Sequence, residues 1–204
     1  MRIYCFLFIA LFSRFYTFGN DVVINELMID PSPAIGLPEF EYIELYNNSN
    51  TDLELINWSI KNRTYSIDLP DIIMTKGSYL IIASKSAKGL FEKYGNTLYV
   101  TSFPSLLNDQ GDISLIDGTG NTVDVVAYES SWYNSEYKSG GGWALERKSP
   151  NYKCSLKHNW SASTNATGGT PGFQNSIIDE IIDSIPPFVK NVFANTDTSI
   201  TLTF

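Results

Sequence analysis

The residues able to do chemistry are few. Outside the first 19 residues the chain holds one histidine, His158, and one cysteine, Cys154. Zinc sites need several such ligands at short spacing, and neither an HExxH run nor paired CxxC motifs occur. No GxSxG elbow is present, and a Ser-His-Asp triad would rest on His158 alone. That histidine stands in Lys-His-Asn-Trp and is read as a solvated or capping side chain. Carboxylates remain. Glu39, Glu41 and Glu44 lie close in sequence, and glycoside hydrolysis needs two carboxyls about 5–9 Å apart. Glu41 and Glu44 are an odd number of residues apart, so on one strand they point to opposite faces. Glu44, on the side of Tyr42 and Tyr46, is therefore expected to be a structural hydrogen-bond acceptor.

Two acid-rich turns, Asp109–Asp112 and Asp117–Asn121, offer oxygen ligands for calcium. They lack the Asp-x-Asp-x-Asn-Gly spacing with a distal glutamate, and hairpin geometry accounts for their glycines and aspartates. Gly140–Gly142 suggests a phosphate loop, but such a loop opens a helix and Trp143-Ala144-Leu145-Glu146 reads as a strand. No catalytic residue, metal ligand or cofactor is assigned. The candidate partner-binding residues are Trp132, Tyr133 and Tyr137, held among Ser, Asn and Gly in Glu129–Gly142. Aromatics on polar loops supply contact area at low entropic cost, as in interface hot spots and sugar platforms. The alternative is that Trp132 folds back and plugs the open end of the fold.

These positions must be held by strands. Val22–Met28 and Glu41–Tyr46 read as two of them, separated by a loop containing Pro31, Pro33 and Pro38, which cannot donate to a sheet ladder. Leu55–Lys61, Thr64–Ile67, Ser78–Ala83 and Trp143–Arg147 follow as further β-like runs. In the first of these Ile56, Trp58 and Ile60 share one face, so Trp58 is expected in the core. Asp112–Ile116 and Thr122–Tyr128 flank Asp117–Asn121, the clearest hairpin signal in the chain. One short helix is expected: Ala87, Leu90, Phe91 and Tyr94 have helical spacing, with Ser86 as N-cap and Gly95 at C′. Gly89 weakens it. Many short strands and a single helix predict an all-β, antiparallel β-sandwich.

The order of these runs resembles the bacterial lamin-tail domain. The INE strand, the Pro-rich acidic loop, the YIELYN strand and the following tryptophan open that pattern. SFPSLLNDQGDISLID (102–117), VVAYESSWY (125–133), GGGWALERKSPN (140–151) and NWSASTNATGGTPGFQNS (159–176) continue it in order. The resemblance covers about residues 22–175. It implies an immunoglobulin-like sandwich without catalysis of its own, acting in interaction, adhesion or spacing within a larger secreted protein. A carbohydrate-binding module attached to a secreted enzyme is the alternative.

Composition and charge narrow the partners. Met1-Arg2 and the apolar run Ile3–Phe12 have the form of a signal peptide, with cleavage placed after Gly19, and the run is too short to span a bilayer. Cleavage removes Arg2 and Arg14, so the net charge of −8 becomes −10. Lysines are interspersed with acids and no basic run faces phosphate, so no nucleic acid and no membrane insertion of the mature chain are expected. An unidentified protein or polysaccharide partner, outside the cell or on its surface, remains. With Cys5 removed, Cys154 has no internal disulfide partner. Residues 20–175 are read as the sandwich, 176–187 as a linker with Pro186-Pro187, and 188–204 as the start of a second immunoglobulin-like domain, two strands around Asn195–Thr198 that continue beyond Phe204.

Overall fold

The computed structural model describes residues 21–152, 156–179, 190–196 and 199–203. The leader, Cys154 and most of the expected linker lie outside the described residues.

Strand β1 covers Val22–Met28 and β2 covers Tyr42–Asn47. Four short strands follow: β3 (Leu53–Glu54), β4 (Ser59–Lys61), β5 (Ser66–Asp68) and β6 (Ile73–Met74). Next come β7 (Tyr79–Ser84), β8 (Thr97–Val100), β9 (Gln110–Ile116) and β10 (Thr122–Glu129). Strands β11 (Leu145–Arg147) and β12 (Trp160–Ala162) close the main body. The last two, β13 (Asn191–Thr196) and β14 (Ser199–Thr203), pair with each other in a separate two-stranded sheet.

Six strands form one sheet in the order β12-β11-β1-β2-β7-β8, and four form a second in the order β10-β9-β4-β5, with β3 and β6 as a small ribbon. The pairing is antiparallel except for β7 with β8, which is parallel. A parallel link requires a crossover, and residues 85–96 supply it. This is the stretch in which a helix is expected. It begins as a 3-10 turn at Lys85–Ala87, capped by the Ser84 hydroxyl rather than by Ser86. Gly89 then takes a φ of +93°, and the next bonds run i to i−3 (Leu90 N to Ala87 O, Tyr94 N to Phe91 O), so no α-helical ladder develops. Ala87 and Phe91 are nonetheless buried, because docking on the sheet needs their side chains and not the helix.

Apolar side chains from both sheets fill the space between them. Val22, Ile24, Leu27, Ile43, Leu45, Leu80, Ile82 and Leu145 from the larger sheet meet Ile60, Ile113, Leu115 and Val126 from the smaller. Burying a side chain of this size stabilises by about 1.5–3 kcal/mol, so this layer is the main source of stability. Trp58 is a correction: it is half-buried at the margin of this core, and Ile56 is 46% exposed. Asn57 adopts a left-handed φ of +58°, which breaks the run and resets its alternation, so Leu55 and Ile60 point inward instead.

The outer face of the six-stranded sheet carries a third layer. Met28, Tyr42, Ile81, Ala83 and Ala144 form a second apolar cluster there, covered by Leu37, Ala87 and Phe91. Alongside it runs the segment Gly168–Ser176, here called the strap. Its approach is close enough to need glycine. Gly172 has a φ of +80°, and a methyl there would strike the Tyr94 carbonyl oxygen. Gly172→Ala is therefore expected to destabilise the protein by about 1–3 kcal/mol. A thermal melt coinciding with that of the parent would show that the strap is not packed as described.

Candidate functional site

Three places compete as functional sites: the aromatic loop, a row of carboxylates, and an open cleft. In the aromatic loop the structure buries Trp132 and Tyr133, at 5% and 4% exposure. Trp132 lies 6.4 Å from Trp160, ring to ring, and both join the inter-sheet core. Both rings are thus packed inside the sandwich rather than exposed on the loop. Tyr137 is 73% exposed and meets the edge of Trp143 at 6.3 Å, while Lys138 covers the same indole at 4.3 Å. The three aromatics are therefore not one surface.

The neighbouring glutamates also separate. Glu39 accepts from the Ser32 hydroxyl (2.5 Å), and Glu41 accepts from the Leu106 N–H (3.3 Å). Glu44 is fully buried on the opposite face, where it accepts from the Asn25 amide (2.9 Å) and the Gly172 N–H (2.5 Å). It is the structural acceptor that the strand alternation implies.

What sequence reasoning missed is the company it keeps. Glu26 on β1 is in register with Glu44 on β2 and with Glu146 on β11, so three carboxyls from adjacent strands form a row. All three are fully buried. A β-bulge between Ile24 and Glu26 makes the row possible. The extra residue, Asn25, shifts the alternation so that Ile24 and Leu27 face the core while Glu26 faces the strap. The strap supplies the donors. Thr170 gives its N–H to Glu26 (2.9 Å), and Ser176 gives its N–H to Glu146 (2.7 Å). Tyr42 donates its hydroxyl to Glu26 (2.5 Å), and Asn175 bonds Asn25 and the Arg147 carbonyl. Burial, and then the charge of Glu146, push the Glu26 carboxyl up to about 8. Burial and the Glu26 charge likewise hold Glu44 well above the usual carboxylate range. Sealed carboxyls of this kind cannot reach a substrate.

The acid-rich turn at Asp117 is self-contained. Its carboxylate accepts from Thr119 and Asn121, and these hydrogen bonds outweigh burial and keep it below the usual aspartate range. Among the described residues no group of three or more His, Cys, Asp or Glu is arranged to hold a metal ion.

The open cleft lies on the four-stranded sheet. It encloses about 440 Å³ between the β4–β5 turn, the loop around Leu107, and the adjacent ends of β9 and β10. Tyr65 and Leu107, 59% and 66% exposed, form its rim. Arg63 reaches across to Asp112 in an ion pair of 2.9 Å. Gly111 is required at the floor, since any side chain there would collide with the buried Tyr128 hydroxyl, which bonds the Leu107 carbonyl (3.1 Å). The cleft was not legible as a site, because its residues come from four separate stretches of ordinary strand and turn.

Two facing sheets around an apolar core, antiparallel in every pairing but that of β7 with β8, define an immunoglobulin-like β-sandwich. Compared with known protein families, residues 17–130 match the Lamin Tail Domain, and the chain belongs to that family. Strands β11 and β12 and the strap lie beyond the matched residues, yet they complete the larger sheet and cover its outer face. A comparison with curated proteins finds no match.

Proposed function

We propose that this chain is a non-catalytic interaction module, exported by its N-terminal segment and working outside the cell or on its surface within a multidomain protein. The observation that carries the reading is the contrast between its two polar centres. The strongly raised carboxyls of Glu26 and Glu44 are sealed beneath the strap, whereas Tyr65 and Leu107 stand exposed at a cleft whose Asp112 is paired with Arg63. A cleft rimmed by Tyr65 and Leu107 and crossed by the Arg63–Asp112 pair suits an extended polypeptide, whose apolar side chains would cover the rim. The net charge of −8 argues against duplex DNA, where affinity rests on neutralising phosphates with lysine and arginine.

A second reading, carbohydrate binding, is favoured by Tyr65 beside Asn62, Gln110 and Glu129, an aromatic face among hydrogen-bonding side chains. One experiment separates them. Peptides selected by phage display on the full chain are expected to lose at least tenfold in affinity when Tyr65 and Leu107 are both changed to Ser. Selected peptides indifferent to that change would overturn the cleft as a polypeptide site. Soluble oligosaccharides that perturb the Tyr65 resonances, in the absence of peptide binding there, would establish the second reading instead.

A further inference from the structure

The strap is held in a way that requires a proton. The Thr170 hydroxyl oxygen lies 3.0 Å from Glu26 Oε2 and 3.0 Å from Glu146 Oε1. A hydroxyl has one hydrogen, so it can donate to only one of these oxygens. The other contact is a hydrogen bond only if that carboxyl is itself protonated and donates to the threonine oxygen. The remaining oxygens are already committed as acceptors, Glu26 Oε1 to Tyr42 and the Thr170 N–H, and Glu146 Oε2 to the Ser176 N–H and hydroxyl. The proton therefore belongs between Glu26 and Glu146.

We propose that Gly168–Ser176 is a proton-operated clasp: a proton shared by Glu26 and Glu146 through the Thr170 hydroxyl holds the strap on the sheet, and its loss lifts the strap. Among the described residues no cation on the surrounding elements offsets a second negative charge. Tyr42 on β2 and Tyr79 on β7 stay neutral, since burial pushes both phenols above their usual range, and Glu44 supplies no positive charge. Arg147, next to Glu146, points to the other side of the sheet and pairs with Asp124. Lys93 covers the Tyr94 ring, and Lys138 donates to the Ser163 carbonyl. Among the described residues the ion pairs are Arg63–Asp112 and Arg147–Asp124, neither of which involves the row. Ionising both members would leave the charges facing each other in a site closed to water, and opening the strap is the route by which water reaches them.

The direction with pH follows. A carboxyl raised from 4.5 to about 8 binds its proton more tightly in the closed form than in the open one. Closure is strongest below pH 4.5, weakens up to tenfold per pH unit between 4.5 and about 8, and levels off above that. Because the strap leads directly into residue 177 and the chain beyond it, the clasp would set how tightly that chain is tethered to the sandwich.

The test is carboxyl-detected NMR on the full chain between pH 5 and 9.5, with amide-exchange protection of Thr170, Gly172 and Ser176 followed in parallel. One carboxyl of the Glu26–Glu146 pair is expected to titrate above pH 7, separately from the raised Glu44 carboxyl, with protection of the Thr170 and Ser176 amides falling through the same range while β9 and β10 amides hold. Glu26→Gln, whose amide donates without ionising, should remove the titration of the pair and make protection of the Thr170 and Ser176 amides independent of pH. Glu54→Gln, on the exposed surface, should leave both unchanged. Titration of both Glu26 and Glu146 below pH 6, or strap protection that tracks β9 and β10 at all pH values, would overturn the proposal. Should Glu26→Gln fail to fold, the titration of the parent decides alone.

Discussion

Arg147→Leu is expected to cost about 3–5 kcal/mol of folding stability, the range for breaking a buried ion pair from one side. Arg147 and Asp124 are joined across the two sheets, with side-chain exposures of 0% and 3%. Removing the guanidinium strands the carboxylate where water cannot reach it. More than charge is involved, because the bulge at Asn25 interrupts the ladder beside Ile24. Arg147 Nε donates to the Ile24 carbonyl (2.7 Å), and Asp124 accepts from the Ile24 N–H (2.9 Å). The pair thus completes the backbone bonding that the bulge leaves open. Asp124→Leu should cost a similar amount, and the double variant less than the sum by about 0.5–3 kcal/mol, the coupling expected of directly bonded partners. Urea unfolding of the four proteins measures the cycle. Strict additivity, or single variants within 1 kcal/mol of the parent, would show that the pair does not join the sheets energetically.

The same bulge explains what was and was not legible in the sequence. Long strands with apolar runs or a flanking turn, such as Val22–Met28 and the hairpin around Asp117–Asn121, announce themselves, and β1, β9 and β10 lie where those signals place them. Strict alternation would put Glu26 on the face of Ile24 and hide its link to Glu44. An inserted residue that reverses a face leaves no periodic mark. The partner Glu146 lies far along the chain in a strand of three residues. A usable signal was nevertheless present: Glu26 and Glu44 each stand in a strand with an apolar residue immediately after, and Leu145 immediately precedes Glu146. A charged residue inside a buried strand calls for partners. The Gly-Gly-Thr-Pro-Gly run near the C-terminal end of the sandwich was the other half of that signal, since glycines recur where backbone must press against a packed surface. The helix expectation failed for a local reason. Spacing reports which side chains share a face, and both Ala87 and Phe91 are buried, but Gly89 at positive φ removes the ladder that would make that face a helix.

Trp160→Ala is expected to lower stability by about 3–5 kcal/mol, whereas Trp58→Ala should cost clearly less. Periodicity favours Trp58 as the core tryptophan, and the structure gives that position to Trp160, which is fully buried. Trp160 sits opposite Arg147 in the β11–β12 register, with the guanidinium 5.0 Å above its ring, and Trp132 packs on it from the preceding loop. Its removal would open a cavity bounded by a charged group and another indole, neither of which can collapse into the space without losing contacts elsewhere. Trp58 stands at the sandwich margin beside the exposed Ile56, where solvent can fill what truncation vacates. Trp160→Phe tests the cause. The buried indole N–H of Trp160 has no hydrogen-bond partner among the described residues, so phenylalanine keeps most of the packing and gives up no polar contact seen there. It should recover the larger part of the loss seen with alanine. Chemical denaturation of the three variants ranks them, and Trp58→Ala proving as costly as Trp160→Ala would mean that the margin of the sandwich is packed as tightly as its centre.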